Sequence, residues 1–203
     1  MTYTFTQDFN VGAGSYTNIE FLVKTFGIPS TIIEVGVFEG STTFWMSDRL
    51  SGFDPKFKIY AIDPHVGSPD IKCDDFSPIK NNFLKNLEYN SHKNVEYIPK
   101  FSSDALLDLI NAGVKAQLIY IDGDHTASTV LSDLVLAWRC LELGGVILCD
   151  DTNSWRYYDE KGFPAIQMSP RMAVESFIWC NYHKVEPLRI PDSSQTAFRK
   201  IKE

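Results

Sequence analysis

The chain has 203 residues, of which 44% are hydrophobic and 22% charged, a composition that suits one globular domain with a full core. Its net charge of −7 at pH 7, with Lys and Arg scattered along the chain, excludes the basic surface expected of a nucleic-acid-binding protein. No apolar run approaches the ~18 residues of a membrane span, and the N-terminal residues lack the pattern of a secretory signal.

Four cysteines (Cys73, Cys140, Cys149 and Cys180) show no C-x-x-C spacing. We expect them to be small buried hydrophobic side chains in a reducing compartment. Together with the absent signal and span, this predicts a cytoplasmic protein with no nucleic-acid and no membrane partner.

Hydrophobic periodicity predicts strands that alternate with helices over the first 150 residues. The predicted strands span 31–35, 58–62, 95–98, 118–121 and 146–149. The predicted helices are one that ends at Phe26, one from Ser41, one around Ile79, one capped by Ser103, and one from Ala127 through Leu141 that Gly144-Gly145 ends. This alternation predicts βαβ units, and therefore a parallel sheet with helices on both faces.

The pattern changes after Asp151. Residues 152–169 are aromatic and polar, and we expect an acceptor loop or lid there, although a packed surface loop explains them equally well. Its aromatic residues are Trp155, Tyr157, Tyr158 and Phe163. A further helix begins at Pro170, and the segments 184–188 and 195–201 predict a hairpin at the sheet edge. We expect a single domain over residues 1–203, with residues 1–30 as an N-terminal helical cap.

A glycine turn follows the first strand and leads into a helix, in Glu34-Val-Gly36-Val-Phe-Glu-Gly40-Ser41. Gly36 lets the chain leave the strand tightly, and Gly40 lets backbone approach a ligand. The G-x-x-x-G spacing lacks the middle glycine of the dinucleotide fingerprint, so it favours a smaller, less anionic cofactor end. A purely structural turn explains the glycines equally well, and Glu34 could cap that turn.

Acidic residues close three further strands. Asp63 ends the second strand, where a carboxylate can accept hydrogen bonds from both hydroxyls of a ribose; its alternative role is a turn former before Pro64. Asp122, Asp150 and Asp151 follow the next two strands. Because neighbouring strand ends lie ~4.8 Å apart and Mg²⁺ prefers carboxylate oxygens, they predict a divalent metal site.

The acids and the histidine beside them also allow other roles. If no metal binds, Asp124 and Asp151 would face solvent and Asp150 would cap a turn. His125 could serve as a general base near neutral pH, or pack as a polar group against a bound adenosine.

These segments resemble class I S-adenosylmethionine-dependent methyltransferases, most closely the bacterial group that includes small-molecule and sugar O-methyltransferases. The matching segments are Glu34–Thr42, Ile62-Asp63-Pro64, Ile121-Asp122-Gly123-Asp124-His125-Thr126, Leu143-Gly144-Gly145-Val146 and Cys149-Asp150-Asp151. The resemblance implies a Rossmann-like α/β fold with a seven-stranded, mostly parallel sheet and one antiparallel strand near the C-terminal edge.

The resemblance also assigns roles to residues. It implies that the glycine turn surrounds the methionine part of the cofactor, through Glu34, Gly36, Phe38, Gly40, Ser41 and Thr42. Asp63 would hold the ribose, and Ser102 and Ser103 would flank the adenine. In metal-dependent relatives, the ligand positions match Asp122, Asp150 and Asp151, and the position of a basic lysine matches His125. Thr152 departs from the tyrosine that usually follows the acidic pair, which alters the expected acceptor pocket.

We therefore expect methyl transfer from S-adenosylmethionine to an oxygen of a small molecule or sugar, assisted by a divalent cation such as Mg²⁺. The predicted catalytic residues are Asp122, Asp124 and His125, of which His125 or Asp124 would take the proton. A nicotinamide-dependent oxidoreductase and a non-catalytic cofactor-binding partner subunit are the alternatives. The sequence also permits a homodimer, and it leaves sugar, phenol and polyketide hydroxyls open as acceptors.

Overall fold

A computed structural model describes residues 3–6, 14–54, 56–67, 75–153 and 169–203. Within these residues, helices and strands alternate as the sequence predicts. The helices are α1 (Gly14–Phe26), α2 (Ser41–Leu50), α3 (Ser77–Tyr89), α4 (Ser102–Asn111), α5 (Ala127–Cys140) and α6 (Pro170–Cys180). The strands are β1 (Thr31–Val35), β2 (Lys58–Ile62), β3 (Val95–Ile98), β4 (Ala116–Ile121), β5 (Leu141–Cys149), β6 (Val185–Leu188) and β7 (Thr196–Lys200).

The strands form one seven-stranded sheet in the order β3-β2-β1-β4-β5-β7-β6. The first five strands pair in parallel. Strand β7 is antiparallel to both of its neighbours, β5 and β6, so the C-terminal hairpin inserts one reversed strand near the edge. This is the Rossmann-like methyltransferase fold, and it confirms the predicted fold class and the position of the antiparallel strand.

Hydrophobic side chains cover both faces of the sheet, because neighbouring residues of a strand point to opposite sides. Ile33 and Ile119 join a cluster with the helix residues Leu106 and Leu134 on one face. Ile32 belongs to the cluster on the other face, with Ile19, Met46 and Tyr120 among its members. Both clusters are fully buried, so the sheet is a rigid platform for the loops at its carboxyl ends.

Three local predictions were wrong. Helix α5 ends at Cys140 rather than at Gly144-Gly145, because Leu141 already pairs with Ala116 as the first residue of β5. Two side chains of β7 hold this early part of the strand: Arg199 donates to the carbonyl oxygen of Gly144 at 3.0 Å, and Lys200 to that of Leu141 at 3.1 Å.

Helix α4 begins at Ser102, and the residue at its cap position is Phe101, which makes no side-chain capping bond, so Ser103 does not cap the helix. Cys180 is exposed, since it lies at the end of α6, whereas Cys140 and Cys149 are buried as expected. The expected lid residues 154–168 and Cys73 lie outside the described residues. Among the helices of the described segments, none has the length and apolar character needed to cross a membrane.

Candidate functional site

The predicted site residues follow directly on four adjacent strands. In the sheet register, Val35 pairs with Ile62 of β2 and Ile121 of β4, and Ile121 pairs with Cys149 of β5. The residues that come next are therefore side by side: Gly36, Asp63, Asp122 and Asp150. In an open parallel sheet this edge is where ligands bind, so the topology brings the predicted set together.

The turn after β1 requires glycine at Gly36, whose φ is +83°. A Cβ atom there would lie 2.2 Å from the backbone oxygen of Asp122, so the ends of β1 and β4 are too close for any side chain. The turn closes through a hydrogen bond from the amide of Gly40 to the carbonyl of Val37, at 2.7 Å. The glycines are thus needed for the backbone path of the turn. This is the structural role that the sequence allows as an alternative to cofactor binding.

Asp63 binds the glycine turn itself. Its Oδ2 accepts hydrogen bonds from the amides of Val37 and Phe38, both at 3.0 Å, and its Oδ1 accepts from the amide of His65 at 2.7 Å. A carboxylate offers about four acceptor positions, so these three bonds leave capacity for a further donor. Backbone amides already occupy three of these roughly four acceptor positions of Asp63. The hydrogen bonds from a ribose to this carboxylate therefore remain a prediction.

His65 and Tyr97 fix the other side of the same turn. His65 Nε2 lies 2.7 Å from the carbonyl oxygen of Phe38, and its Nδ1 lies 2.8 Å from the Tyr97 hydroxyl. Because a carbonyl only accepts, Nε2 has the hydrogen and donates it. The Tyr97 hydroxyl donates to the carbonyl of Asp63 at 3.0 Å. Phe38 has a left-handed backbone, with φ +50°, so this contact holds a strained residue in place.

Glu34 has a buried carboxyl oxygen close to Asp122 and Asp63. The residue is 1% exposed, and its Oε2 has no hydrogen-bond partner among the residues that the structure describes. Burial, followed by the carboxylates of Asp122 and Asp63, raises the pKa of Glu34 to about 8, which the neighbouring Thr43 hydroxyl opposes only in part. A buried carboxyl oxygen without a partner costs stability unless a ligand satisfies it. Its position therefore suits a cationic ligand group.

Asp122 and Asp150 meet at one phenol. The Tyr120 hydroxyl lies 2.9 Å from Asp122 Oδ2 and 2.6 Å from Asp150 Oδ2. Loss of hydration and the nearby Asp150 carboxylate raise the pKa of Asp122 to about 7, while His125 and Tyr120 lower it. Burial raises the pKa of Tyr120 well above its ordinary value, so the phenol keeps its proton.

His125 lies between two acids. Its Nε2 is 3.5 Å from Asp122 Oδ1 and 3.6 Å from Asp151 Oδ2. Asp151 is 9% exposed and has a left-handed backbone, with φ +53°, that turns it toward the site instead of toward solvent. The imidazole is therefore placed to accept a proton and to hold the resulting charge between two carboxylates.

Asp124 serves the start of α5 instead. Its Oδ1 accepts from the amide of Thr126 at 2.6 Å, and its Oδ2 from the hydroxyl of Thr129 at 3.3 Å. A side chain engaged in this way orders the loop before the helix. The geometry thus favours His125 over Asp124 as the group that takes a proton, and both roles remain predictions.

The predicted metal ligands do not converge as folded. Asp150 Oδ1 accepts from the amide of Asp151 at 2.7 Å, and Asp150 Oδ2 contacts Tyr120. The two oxygens of Asp150 therefore contact an N–H and an O–H donor and do not point toward a common centre with the other acids. The contact with the backbone amide agrees with the alternative role of Asp150 in a turn. Across the described segments, no group of three or more His, Cys, Asp or Glu side chains is arranged to hold a metal ion. The donor set therefore does not fit the predicted cation.

The remaining predicted residues lie at the starts of two helices. The Ser41 hydroxyl lies 2.8 Å from that of Tyr16 on α1, and Thr42 is buried in the first turn of α2. Ser102 and Ser103 begin α4. Beside them lies an open groove of about 700 Å³ whose lining includes Pro64, Val66, Phe101 and Leu107. The lining includes Pro64 and Phe101, the chain neighbours of Asp63 and Ser102, which are predicted to hold the ribose and to flank the adenine.

Sequence reasoning missed Tyr120 and assigned no role to His65. Tyr120 stands in the apolar run Leu118–Ile121, where a buried phenol needs a hydrogen-bond partner, so its hydroxyl was a usable signal. Glu39 was also missed. It lies inside the glycine turn and is 1% exposed. Its carboxylate accepts from the amide and hydroxyl of Thr6, at 2.6 and 2.7 Å, which docks residues 3–6 on the turn.

Comparisons with known proteins agree with this geometry. Residues 33–152, from β1 to the end of the acidic cluster, match the family model described as a methyltransferase domain. That match covers more than half of the chain, so the protein belongs to this methyltransferase-domain family.

A curated relative is uncharacterized protein R132 of Acanthamoeba polyphaga mimivirus, 30% identical over 147 residues. The match covers 68% of this chain but only 59% of the viral protein, so this chain spans less than two thirds of that relative.

Solved structures share the fold at low sequence identity. Cofactor-bound Rv0187 from MTB superposes with a TM-score of 0.68 at 14% identity, over 98% of this chain and 84% of the other. The O-methyltransferase from Bacillus cereus in complex with SAH gives a TM-score of 0.66 at 16% identity, over 97% and 84%. The O-methyltransferase NovP gives 0.65 at 16% identity, over 93% and 78%.

Proposed function

We propose that this protein transfers a methyl group from S-adenosylmethionine to a hydroxyl oxygen of a small molecule or sugar. The observation that supports this most is the buried, unpartnered Oε2 of Glu34 beside Asp63 and Asp122, at the carboxyl edge of a methyltransferase-type sheet. Such a group of acids suits a ligand with positive charge on its amino acid part and its sulfur. Two structural neighbours hold a cofactor or SAH, by their descriptions, which agrees with this choice.

When bound, S-adenosylmethionine supplies an activated methyl group on a positively charged sulfur. The task left to the protein is to hold the reactants in line, which can lower a barrier by ~7–11 kcal/mol. The glycine turn and Asp63 fix the cofactor side, since three backbone amides bind this carboxylate. Glu34 satisfies its buried oxygen by binding a cationic group of the cofactor.

The acceptor oxygen must lose a proton as it gains the methyl group. His125 is the proposed base, since its Nε2 lies within 3.6 Å of both Asp122 Oδ1 and Asp151 Oδ2, which hold the positive charge of the protonated ring. In this proposal Asp122 orients the imidazole, and Asp124 orders the loop that presents it. The acceptor is a small molecule, and no step needs the cation predicted from the sequence, because the carboxylates do not converge on one.

A thermal-shift comparison tests the cofactor. We expect S-adenosylhomocysteine to raise the melting temperature and NAD to leave it unchanged, since ligands stabilise only the state they bind. Stabilisation by NAD instead would favour the oxidoreductase, and no response to either would favour the non-catalytic subunit.

A second experiment identifies the acceptor. The protein is incubated with S-adenosylmethionine labelled in the methyl group and with an extract of host small molecules, and mass analysis finds what gains the label. We expect label on an ether oxygen, with equal yield in excess chelator. Label on nitrogen or carbon would overturn O-methylation, and loss of transfer in chelator would restore the cation to the mechanism.

A further inference from the structure

Tyr120 connects polar groups from four different parts of the chain. Its side chain is fully buried in β4, yet its hydroxyl lies within 3.0 Å of Asp122 Oδ2, Asp150 Oδ2 and Ser15 Oγ. The side-chain nitrogen of Gln195, Nε2, lies 3.4 Å from the same hydroxyl. A buried phenol in a sheet normally needs one partner, and this one has four.

The sheet register explains how the phenol reaches both acids. Tyr120 pairs with Leu148 of β5, so Asp122 and Asp150 each lie two residues beyond this pair, on the same face. Side chains at this spacing along a strand share a face. The phenol extends toward the carboxyl ends of β4 and β5 and meets the two carboxylates that leave them.

Two like charges at neighbouring strand ends repel each other unless something lies between them. In a metal enzyme a cation does so, but here the Tyr120 hydroxyl contacts one oxygen of each carboxylate. The second oxygen of Asp150 accepts from the amide of Asp151, and the second oxygen of Asp122 faces His125. The protein's own polar groups therefore separate the pair: the phenol contributes one hydrogen that the two carboxylates share, and the amide of Asp151 and the imidazole of His125 lie against their outer oxygens.

A second layer of side chains holds the phenol. Gln195 Nε2 donates to Ser15 Oγ at 3.0 Å, and Gln195 Oε1 accepts from Asn18 Nδ2 at 2.8 Å. Asn18 in turn binds the backbone amide and carbonyl of Asp192, at 2.9 and 3.0 Å. The network thus anchors β4 to helix α1 and to the turn that precedes β7. A mobile hydroxyl could not bridge two acids, and the contacts with Ser15 and Gln195 hold the Tyr120 hydroxyl in place.

We infer that Tyr120 is a positioning residue whose hydroxyl bridges Asp122 and Asp150 and fills the place that a divalent cation takes between such acids. The inference rests on the proposed function in one respect: it assumes that Asp122 and Asp150 lie on the side of the site that binds the acceptor. It assigns the network of Ser15, Asn18, Tyr120 and Gln195 to the site, although none of these side chains was predicted to belong there.

The test compares Tyr120→Phe with wild type and with Tyr60→Phe, which removes a tyrosine hydroxyl from β2, away from the acids. Each protein is melted in chelator and again in millimolar Mg²⁺ or Mn²⁺. We expect the melting temperature of wild type, and that of Tyr60→Phe, to be the same in chelator as with the cation. Tyr120→Phe should melt several degrees lower in chelator and should recover part of the loss with the cation, which can then bind between the freed carboxylates.

A purely structural phenol would lower the melting temperature equally in both conditions, and that result overturns the inference. So does a wild type that the cation stabilises as much as the variant. S-adenosylhomocysteine affinity, measured by calorimetry, should stay within about threefold of wild type in Tyr120→Phe; absence of binding in wild type would instead contradict the proposed function.

If Tyr120→Phe does not fold, wild type and Asp150→Asn decide the matter. Mn²⁺ is titrated into wild type and Asp150→Asn, and bound metal is followed by electron paramagnetic resonance. Equal, weak uptake by both supports the phenol bridge. Tight uptake by wild type that Asp150→Asn abolishes overturns it.

Discussion

The two halves of the site are held in different ways. On the side of β1 and β2, backbone amides hold the site together, because three of them donate to the carboxylate of Asp63. On the side of β4 and β5, side chains bind side chains: Tyr120 joins Asp122, Asp150 and Ser15. The first half depends on the backbone path of the glycine turn, whose amides lie 26 and 25 residues from Asp63, and the second on side chains up to 105 residues apart in the chain. The first is therefore sensitive to backbone changes and the second to single polar atoms.

The largest expected effect comes from the backbone half. Gly36→Ala should destabilise the protein by about 3 kcal/mol or more, because the new Cβ would lie 2.2 Å from the carbonyl oxygen of Asp122. Gly27→Ala is the matched control, since its φ of +93° is similar but open space surrounds it. We expect it to cost about 1 kcal/mol. Urea unfolding measures both, and equal losses would show that the contact between β1 and β4 is unimportant.

Next in size is the loss of the buried acid between the two halves. Glu34→Gln should weaken S-adenosylhomocysteine binding about 100-fold, or ~2.7 kcal/mol, because the amide, unlike the carboxyl group, cannot lose a proton and become the anionic partner of a cationic group. Glu39→Gln is the control: its carboxylate already binds Thr6 and Asn82, so it should lower stability and leave affinity within about threefold. Calorimetry decides, and unchanged affinity in Glu34→Gln would remove this residue from the cofactor site.

Glu34 also predicts how stability depends on pH. Its pKa of about 8 in the folded protein lies above the ordinary value of 4.5, so the folded state holds the proton more tightly. Its contribution is fully present below about pH 4.5 and is lost as pH rises through 8. The ligand-free wild type should therefore lose stability across this range more steeply than Glu34→Gln. Denaturant unfolding at several pH values tests this, and parallel curves would contradict it.

A smaller effect is expected at the back of the glycine turn. His65→Leu should weaken S-adenosylhomocysteine binding about tenfold, because the carbonyl of Phe38 loses its donor and the turn loosens. His65→Gln keeps an amide donor of similar reach, so its affinity should stay within about threefold of wild type. If both variants bind alike, His65 acts by filling space rather than by its hydrogen bond.

The smallest effect is expected at Asp124. Asp124→Asn keeps the oxygen that accepts from Thr126, so methyl transfer to an extract should fall less than about threefold. His125→Asn removes the proposed base and should lower transfer about 100-fold. Rates with labelled donor compare the two variants. A greater loss in Asp124→Asn would exchange the roles of these neighbours.

The sequence predicts the first half of the site better than the second for a physical reason. Strands 31–35, 58–62 and 95–98 are found as predicted, and the glycine turn and Asp63 follow from them, since local spacing determines a turn. The contacts of Tyr120 with Ser15 and Gln195 join residues 105 and 75 positions apart, which only the fold brings together.

The end of α5 shows the same limit. Gly144-Gly145 is a good helix stop by local rules, but pairing of Leu141 with Ala116 and the contacts of Arg199 and Lys200 begin the strand earlier. Tertiary contacts decided that boundary. Metal binding by Asp122, Asp150 and Asp151 was a prediction of the same kind: the positions are adjacent, but Asp122 and Asp150 contact Tyr120 and Asp151 contacts His125 in the folded chain.

The most direct test of the central proposal is a calorimetric titration of the full chain with S-adenosylhomocysteine, followed by the same titration of Glu34→Gln. We expect one molecule to bind per chain of wild type, with the affinity largely lost in the variant. If wild type takes up no S-adenosylhomocysteine, or if both proteins bind it equally well, the acid-lined end of the sheet is not the cofactor site.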